Sequence, residues 1–325
     1  MKILSDSIRA ILILGFVLFL SVSQSACSIS PKTSSPQGAT STSLQKELIM
    51  KDITAMPETP TQKSGPANTT SETEKFTPEA SVVTPLSKGP LTITIVFDNY
   101  PYNERLRTSW GFAALVEHQN QTLLFDTGGD GLILLENMRI LGINTSDIQG
   151  VMLSHAHNDH TGGLVHLLES GARPTIYVFP RFGGNIDQET AKITEVVQVE
   201  AGDSISQGMY TTGAMGGGIR EQALVIPTSK GLVIVTGCAH PGIVQIVEKA
   251  KEMFDEPVYL VMGGFHLGNT SDHQLNGIIN AFRDLGVQKV APCHCTGDKA
   301  IARFKAEYGE DFIQAGAGSV IVVEE

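Results

Sequence analysis

Val151-Met152-Leu153-Ser154-His155-Ala156-His157-Asn158-Asp159-His160-Thr161-Gly162-Gly163-Leu164 decides how the rest of the chain reads. Gly150 to Leu153 has the apolar run of a buried strand, and Gly162-Gly163 followed by Leu164-Val165-His166-Leu167-Leu168 has the form of a turn entering a helix. The polar residues between them are predicted on a strand-to-helix loop, where a rigid scaffold aims side chains at one point. Three of the nine histidines and one aspartate fall within six residues there. Any one of them alone is more simply a core or surface residue. Together they form a set of imidazole and carboxylate ligands suited to zinc, manganese or iron in an open site.

The pattern His155-x-His157-x-Asp159-His160 resembles the metal motif of the metallo-β-lactamase fold superfamily. The resemblance implies an α/β fold, a four-layer αβ/βα sandwich with the site at the edge between two sheets. It further implies two divalent metal ions, His155 and His157 on one, Asp159 and His160 on the other.

Composition narrows the partners. The chain has 325 residues, 41% of them hydrophobic, enough for a sizeable core. Its formal charge of −11, with 34 acidic against 23 basic side chains, argues against the basic face that nucleic acid requires. A small-molecule substrate is the expected partner. The four cysteines, Cys27, Cys238, Cys293 and Cys295, are too unevenly placed for a disulfide framework.

At the amino terminus, Lys2 and Arg9 precede an apolar run from Ala10 to Leu20 and a small-residue exit to Cys27. This is the form of a secretory signal, shorter than the about 20 apolar residues of a membrane span. Ala26-Cys27 resembles a bacterial lipoprotein site with Cys27 lipidated, although Gln24 stands where that pattern has leucine; cleavage near Ala26 is the alternative. An exported protein at the cell envelope is expected, touching membrane only through that anchor. Residues 28–89 are rich in Ser, Thr and Pro and poor in large apolar side chains, a disordered tether by composition.

The folded domain is expected over residues 90–325. Leu91 to Phe97 reads as a strand, and Ala113–Glu117 and Gln121–Phe125 read as a hairpin around His118-Gln119-Asn120. Asp126-Thr127-Gly128-Gly129 ends its second strand; the family resemblance implies that Asp126 orders the metal loop. A helix follows from Leu132 to Leu141, stopped by Gly142. Arg181 to Gly218 shows no period and reads as long loops walling a substrate pocket. Later, three strands in succession deliver Gly237-Cys238-Ala239-His240, Gly263-Gly264-Phe265-His266 and Pro292-Cys293-His294-Cys295.

These strand ends supply the remaining candidates. No histidine stands between His166 and His240, so His240 is the nearest replacement for the third ligand of the first metal, and His294 fits the last ligand of the second. His166 and His273 read as a packed helix residue and an exposed residue near a cap. Thr236-Gly237-Cys238 occupies the place where relatives read an acid that bridges the metals. Cys238, Cys293 and Cys295 are possible soft ligands, and Cys238 and Cys293 read more simply as small buried residues. Asp159 and His266 are the catalytic candidates; His266 ends a strand and reads either as a further ligand or as a proton donor beside the metals, the second being the role expected. The motifs from Leu-Phe-Asp-Thr-Gly to His-Cys-Thr-Gly together resemble the branch that includes the archaeal dihydropterin–ribofuranosylaminobenzene phosphate synthases and many uncharacterised metal-dependent hydrolases. Trp110-Gly111-Phe112 departs from its His-Gly-Leu. The function expected is an exported metal-dependent hydrolase of a phosphoester, ester or lactone; the alternatives are a transferase like those synthases and a non-catalytic metal-binding lipoprotein.

Overall fold

Alternation in Leu91-Thr92-Ile93-Thr94-Ile95 buries every second side chain between two sheets, and this strand anchors the fold (β1, Leu91–Phe97). A computed structural model describes residues 90–183, 186 and 190–324. The signal, the tether and Cys27 lie outside them.

The hairpin forms with β2 (Ala113–His118) and β3 (Gln121–Phe125), paired Ala114 to Phe125 through His118 to Gln121. His118 therefore belongs to the strand, correcting the three-residue turn expected there. Gln119 and Asn120 alone make the turn, with φ of 51° and 64°, the left-handed pair that suits strand twist. Helix α1 (Gly131–Leu141) begins on Asp130, whose side chain accepts the N–H groups of Leu132 and Ile133, and stops at Gly142 with φ of 76°. Then come β4 (Gly150–Met152), the single turn α2 (Asn158–Thr161), α3 (Leu164–Glu169) and β5 (Thr175–Val178).

The stretch expected as long loops holds three short strands, β6 (Val196–Gln198), β7 (Ser204–Ser206) and β8 (Met209–Thr211). Each has three residues, too few for a period to show. The second half follows with β9 (Leu224–Thr228), β10 (Gly231–Thr236), α4 (Ile243–Phe254) and β11 (Val258–Gly264). It closes with α5 (Asp272–Asp284), β12 (Lys289–Cys293), α6 (Asp298–Tyr308) and β13 (Val320–Val323).

The strands form a seven-stranded sheet, β13-β1-β2-β3-β4-β5-β6, and a six-stranded sheet, β12-β11-β10-β9-β8-β7. Ile93, Phe125, Met152, Val233, Val235 and Met262 pack in the cluster between them. On the outer face of the first sheet, Leu134 and Met138 of α1 and Leu167 of α3 cover Leu124 and Val151. On the second, Ile246 of α4, Phe282 of α5 and Phe304 of α6 cover Ile234 and Val261. The result is the four-layer αβ/βα sandwich. Strands β3 to β6 run parallel, as do β10 to β12, so the ends of β3, β4, β10, β11 and β12 deliver their loops to one edge. Among the described residues no helix is long and apolar enough to cross a membrane.

Candidate metal centre

The hydrogen bonds that hold the loop histidines also set their tautomers. Asp126, at the end of β3, is fully buried and takes Ser154 N–H on Oδ1 at 2.7 Å and the Ser154 hydroxyl on Oδ2 at 2.7 Å. With its proton given to Asp126, Ser154 Oγ can only accept from His155 Nδ1, 2.9 Å away. The same carboxylate accepts from His160 Nδ1 at 2.7 Å. Across the site, Asn99 Nδ2 donates to the His294 carbonyl at 3.3 Å, which turns its Oδ1 to His294 Nδ1 at 2.9 Å. Assigned this way, His155, His160 and His294 each keep Nδ1 protonated and direct Nε2 into the centre, the arrangement in which a neutral imidazole binds a cation.

Three donor groups result. His155, His157 and His240 form the first, Asp159, His160, Cys238 and His294 the second, and Cys238, His266 and Cys295 the third, with ligand atoms in each within 4.8 Å of one another. In the first, His155 Nε2 faces His157 Nδ1 at 3.1 Å, and His240 Nε2 is buried with no hydrogen-bond partner among the described residues. Ring nitrogens this close need a shared proton or a cation between them. In the second, Asp159 Oδ2 lies 3.5 Å from His160 Nε2 and 3.4 Å from His294 Nε2. Cys238 Sγ lies 3.2 and 3.4 Å from the same two nitrogens. Imidazole, carboxylate and sulfur at these spacings fit zinc chemistry.

Electrostatics agree with cation binding. Burial, reinforced by neighbouring histidines, holds His155 far below the ordinary imidazole range and takes His240 down to about 4, so both are neutral. Burial also opposes charge on His160, but Asp126 and Asp159 outweigh it and raise its pKa to about 10. The second proton so retained lies at Nε2, the position that a cation takes.

Cys238 is buried, as its apolar flanks suggest, but its sulfur belongs to the second donor group. Glu221 is nearly silent in sequence. Fully buried, it accepts the N–H groups of Gly237, Cys238 and Ala239 on Oε1 at 3.1, 2.9 and 2.9 Å and that of His240 on Oε2 at 2.9 Å. It thereby shapes the loop that carries two donors. The one trace in sequence is an acid standing just before a buried strand. Asn99 carried no signal beyond ending a strand.

His266 sits beside His240, ring centroids 4.4 Å apart, and its ring nitrogen lies within 4.8 Å of the sulfurs of Cys238 and Cys295. Among non-glycine residues, Asp126, Ala239, His266 and His294 have φ of 57°, 60°, 54° and 49°, so the loops hold strained backbone at the site. His166 lies outside the centre, half-buried against Gly131, and His273 is exposed in the first turn of α5. Trp110 is 57% exposed, with its ring 4.9 Å from that of His294. Its backbone is fixed, because Phe112 N–H donates to the Asp159 carbonyl at 3.2 Å and a Cβ on Gly111 would meet that oxygen at 2.4 Å.

Comparison with known proteins gives concordant results. A family model of the metallo-β-lactamase superfamily matches residues 111–178. The 7,8-dihydropterin-6-methyl-4-(β-D-ribofuranosyl)-aminobenzene-5′-phosphate synthase of Methanocaldococcus jannaschii is 31% identical over 278 residues, spanning 70% of this chain and 95% of its own. The solved structure of a metal-dependent hydrolase of the β-lactamase superfamily is 30% identical, with a TM-score of 0.62, over 72% of this chain and 100% of its own. A metallo-β-lactamase fold protein from Bacillus subtilis, 16% identical with a TM-score of 0.52 over 72% of this chain and 100% of its own, shares the fold.

Proposed function

Because the chain belongs to the metallo-β-lactamase superfamily, we propose that it is a metal-dependent hydrolase of phosphoester, ester or lactone bonds. The observation that carries the reading is the pair of adjoining donor groups, His155/His157/His240 and Asp159/His160/Cys238/His294. Two divalent cations bound there, zinc first and manganese or iron as alternatives, would bring the pKa of a water towards ~7 and polarise a substrate oxygen.

The remaining work falls to the protein. Asp126 and Asn99 keep three imidazoles in their binding tautomer, and Glu221 fixes the loop that presents Cys238 and His240. Asp159, held between His160 and His294, positions the second group. His266 is exposed at the edge of the centre and beside His240, where it can pass a proton to a departing oxygen. Trp110 covers the His294 side of the entrance.

A second reading has one observation in its favour: the relative that is 31% identical is a synthase, and under that reading the same centre would serve group transfer to an acceptor other than water. Residues 1–27 support placing the enzyme outside the cytoplasm, with Cys27 as a lipid anchor.

The test is metal analysis of the full chain followed by turnover of aryl esters, lactones and phosphodiesters with added zinc or manganese. About two equivalents of metal and cation-dependent turnover are expected. His266→Ala should keep the metal and lose about 10²–10⁴-fold in rate, least on substrates with an acidic leaving group. Bound metal without any turnover would favour the transferase reading or a binding protein.

A further inference from the structure

Next to the donor groups lies a cavity of about 560 Å³ lined by His240 and His266 together with Ile243, Val244, Leu267 and Ile278. His240 belongs to the first donor group, so the cavity opens directly from the centre. His273 and Gln274 add polar atoms, and among the described residues no carboxylate, lysine or arginine lines it. A wall of this composition suits an uncharged, largely apolar group and disfavours a polyanion.

Gly277 adds an independent observation. It lies inside α5, where glycine is less stable than alanine, and its backbone is helical, so the turn does not require it. A Cβ there would meet nothing within 4 Å, yet the residue lines this cavity. Gly277 is exposed at the mouth of the cavity, and the space that a side chain would take there is open.

Resting on the hydrolase reading, we propose that the chamber takes an alkyl or aryl group joined to the scissile centre, and that Gly277 sets how large a group is admitted. The substrate is then an amphipathic ester or phosphoester, polar at the metals and apolar beyond His240.

The probe is a series of n-alkylphosphonates from methyl to octyl, titrated calorimetrically into the metal-loaded full chain. Burial of each methylene should tighten binding about three- to four-fold until the chamber is full. Gly277→Phe should end that gain at a shorter chain, and Gly277→Ala should trim it slightly; circular dichroism and melting check that both variants are folded. If Gly277→Phe does not fold, the Ala variant and the wild-type series still decide. Affinity that is flat with chain length, no binding by any member, or an unaltered gain in folded Gly277→Phe would overturn the inference. A chain-length gain without turnover of any ester or phosphodiester leaves the chamber standing and refutes the hydrolase reading instead.

Discussion

Removing the Glu221 carboxylate should cost more than removing any metal ligand, because four buried N–H groups depend on it. In Glu221→Ala the donors of Gly237, Cys238, Ala239 and His240 lose their acceptor together. A buried donor left unpaired costs about 1–3 kcal/mol, so the four set a loss of at least ~4 kcal/mol even at the low end. Release of a buried carboxylate offsets part of the upper range. Against a typical domain stability of about 5–15 kcal/mol, the variant stands near the edge of unfolding. In Glu221→Gln the amide oxygen can replace Oε1 and keep three donors, leaving only His240 N–H without an acceptor, for about 1–3 kcal/mol. Urea unfolding of the two variants measures both losses, and metal analysis of the Gln variant shows whether the loop keeps its shape. A loss under ~1 kcal/mol in Glu221→Ala, or equal losses in the two variants, would refute the reasoning. Burial raises the Glu221 pKa above 4.5 despite the four N–H groups. The fold therefore binds this proton more tightly than the unfolded chain, and stability should fall as pH rises from 4.5 through the raised value. Glu221→Gln should lack that slope.

Burial raises Asp98 from 3.8 to about 6, which corresponds to about 3 kcal/mol of stability present below pH 3.8 and lost by about pH 6. Asp98→Asn, whose amide oxygen can still accept Tyr100 N–H, should unfold at higher urea than the parent at pH 8 and lose that advantage towards pH 4. Asn99→Ala frees the His294 ring and should weaken metal binding about 10–100-fold while leaving the first donor group loaded, as read by chelator competition. Cys238→Ser should abolish the thiolate-to-metal absorption of the cadmium-substituted protein; an unchanged spectrum would remove Cys238 from the second group. Trp110→Ala, at an exposed position, should shift stability by no more than ~0.5 kcal/mol yet raise KM across the substrates turned over.

The parts of the molecule legible in sequence are those where chemistry repeats a local pattern. His155, His157, Asp159 and His160 are close in sequence, and His240 and His266 each follow a strand that its apolar run announces, while His294 follows only the short Val290-Ala291. Cys238 and His118 show where local reading stops. Nothing in Thr236-Gly237-Cys238 tells a packing thiol from one aimed at two imidazoles 3.2 and 3.4 Å away. Glu221 reaches N–H groups 16 to 19 positions on, and Asn99 reaches His294 195 positions away; only the fold makes those pairs. Strands β6 to β8 are too short to alternate, so their stretch resembled loop.

The same long reach gives the centre a place in the life of the chain. The donors run from His155 to His294, and the groups orienting them extend back to Asn99. A nascent chain stopped between His160 and β12 carries the His155–His160 loop and lacks His294. With cations in these donor groups, full occupancy would wait on near-completion of the domain, and capture would be a late event of folding and not its nucleus. Once made, it opposes unfolding everywhere at once, because each bound cation adds RT ln(1 + [L]/Kd) to the stability of the whole sandwich. Scarcity of metal in the surroundings would therefore be felt first as a shortened lifetime of the protein itself.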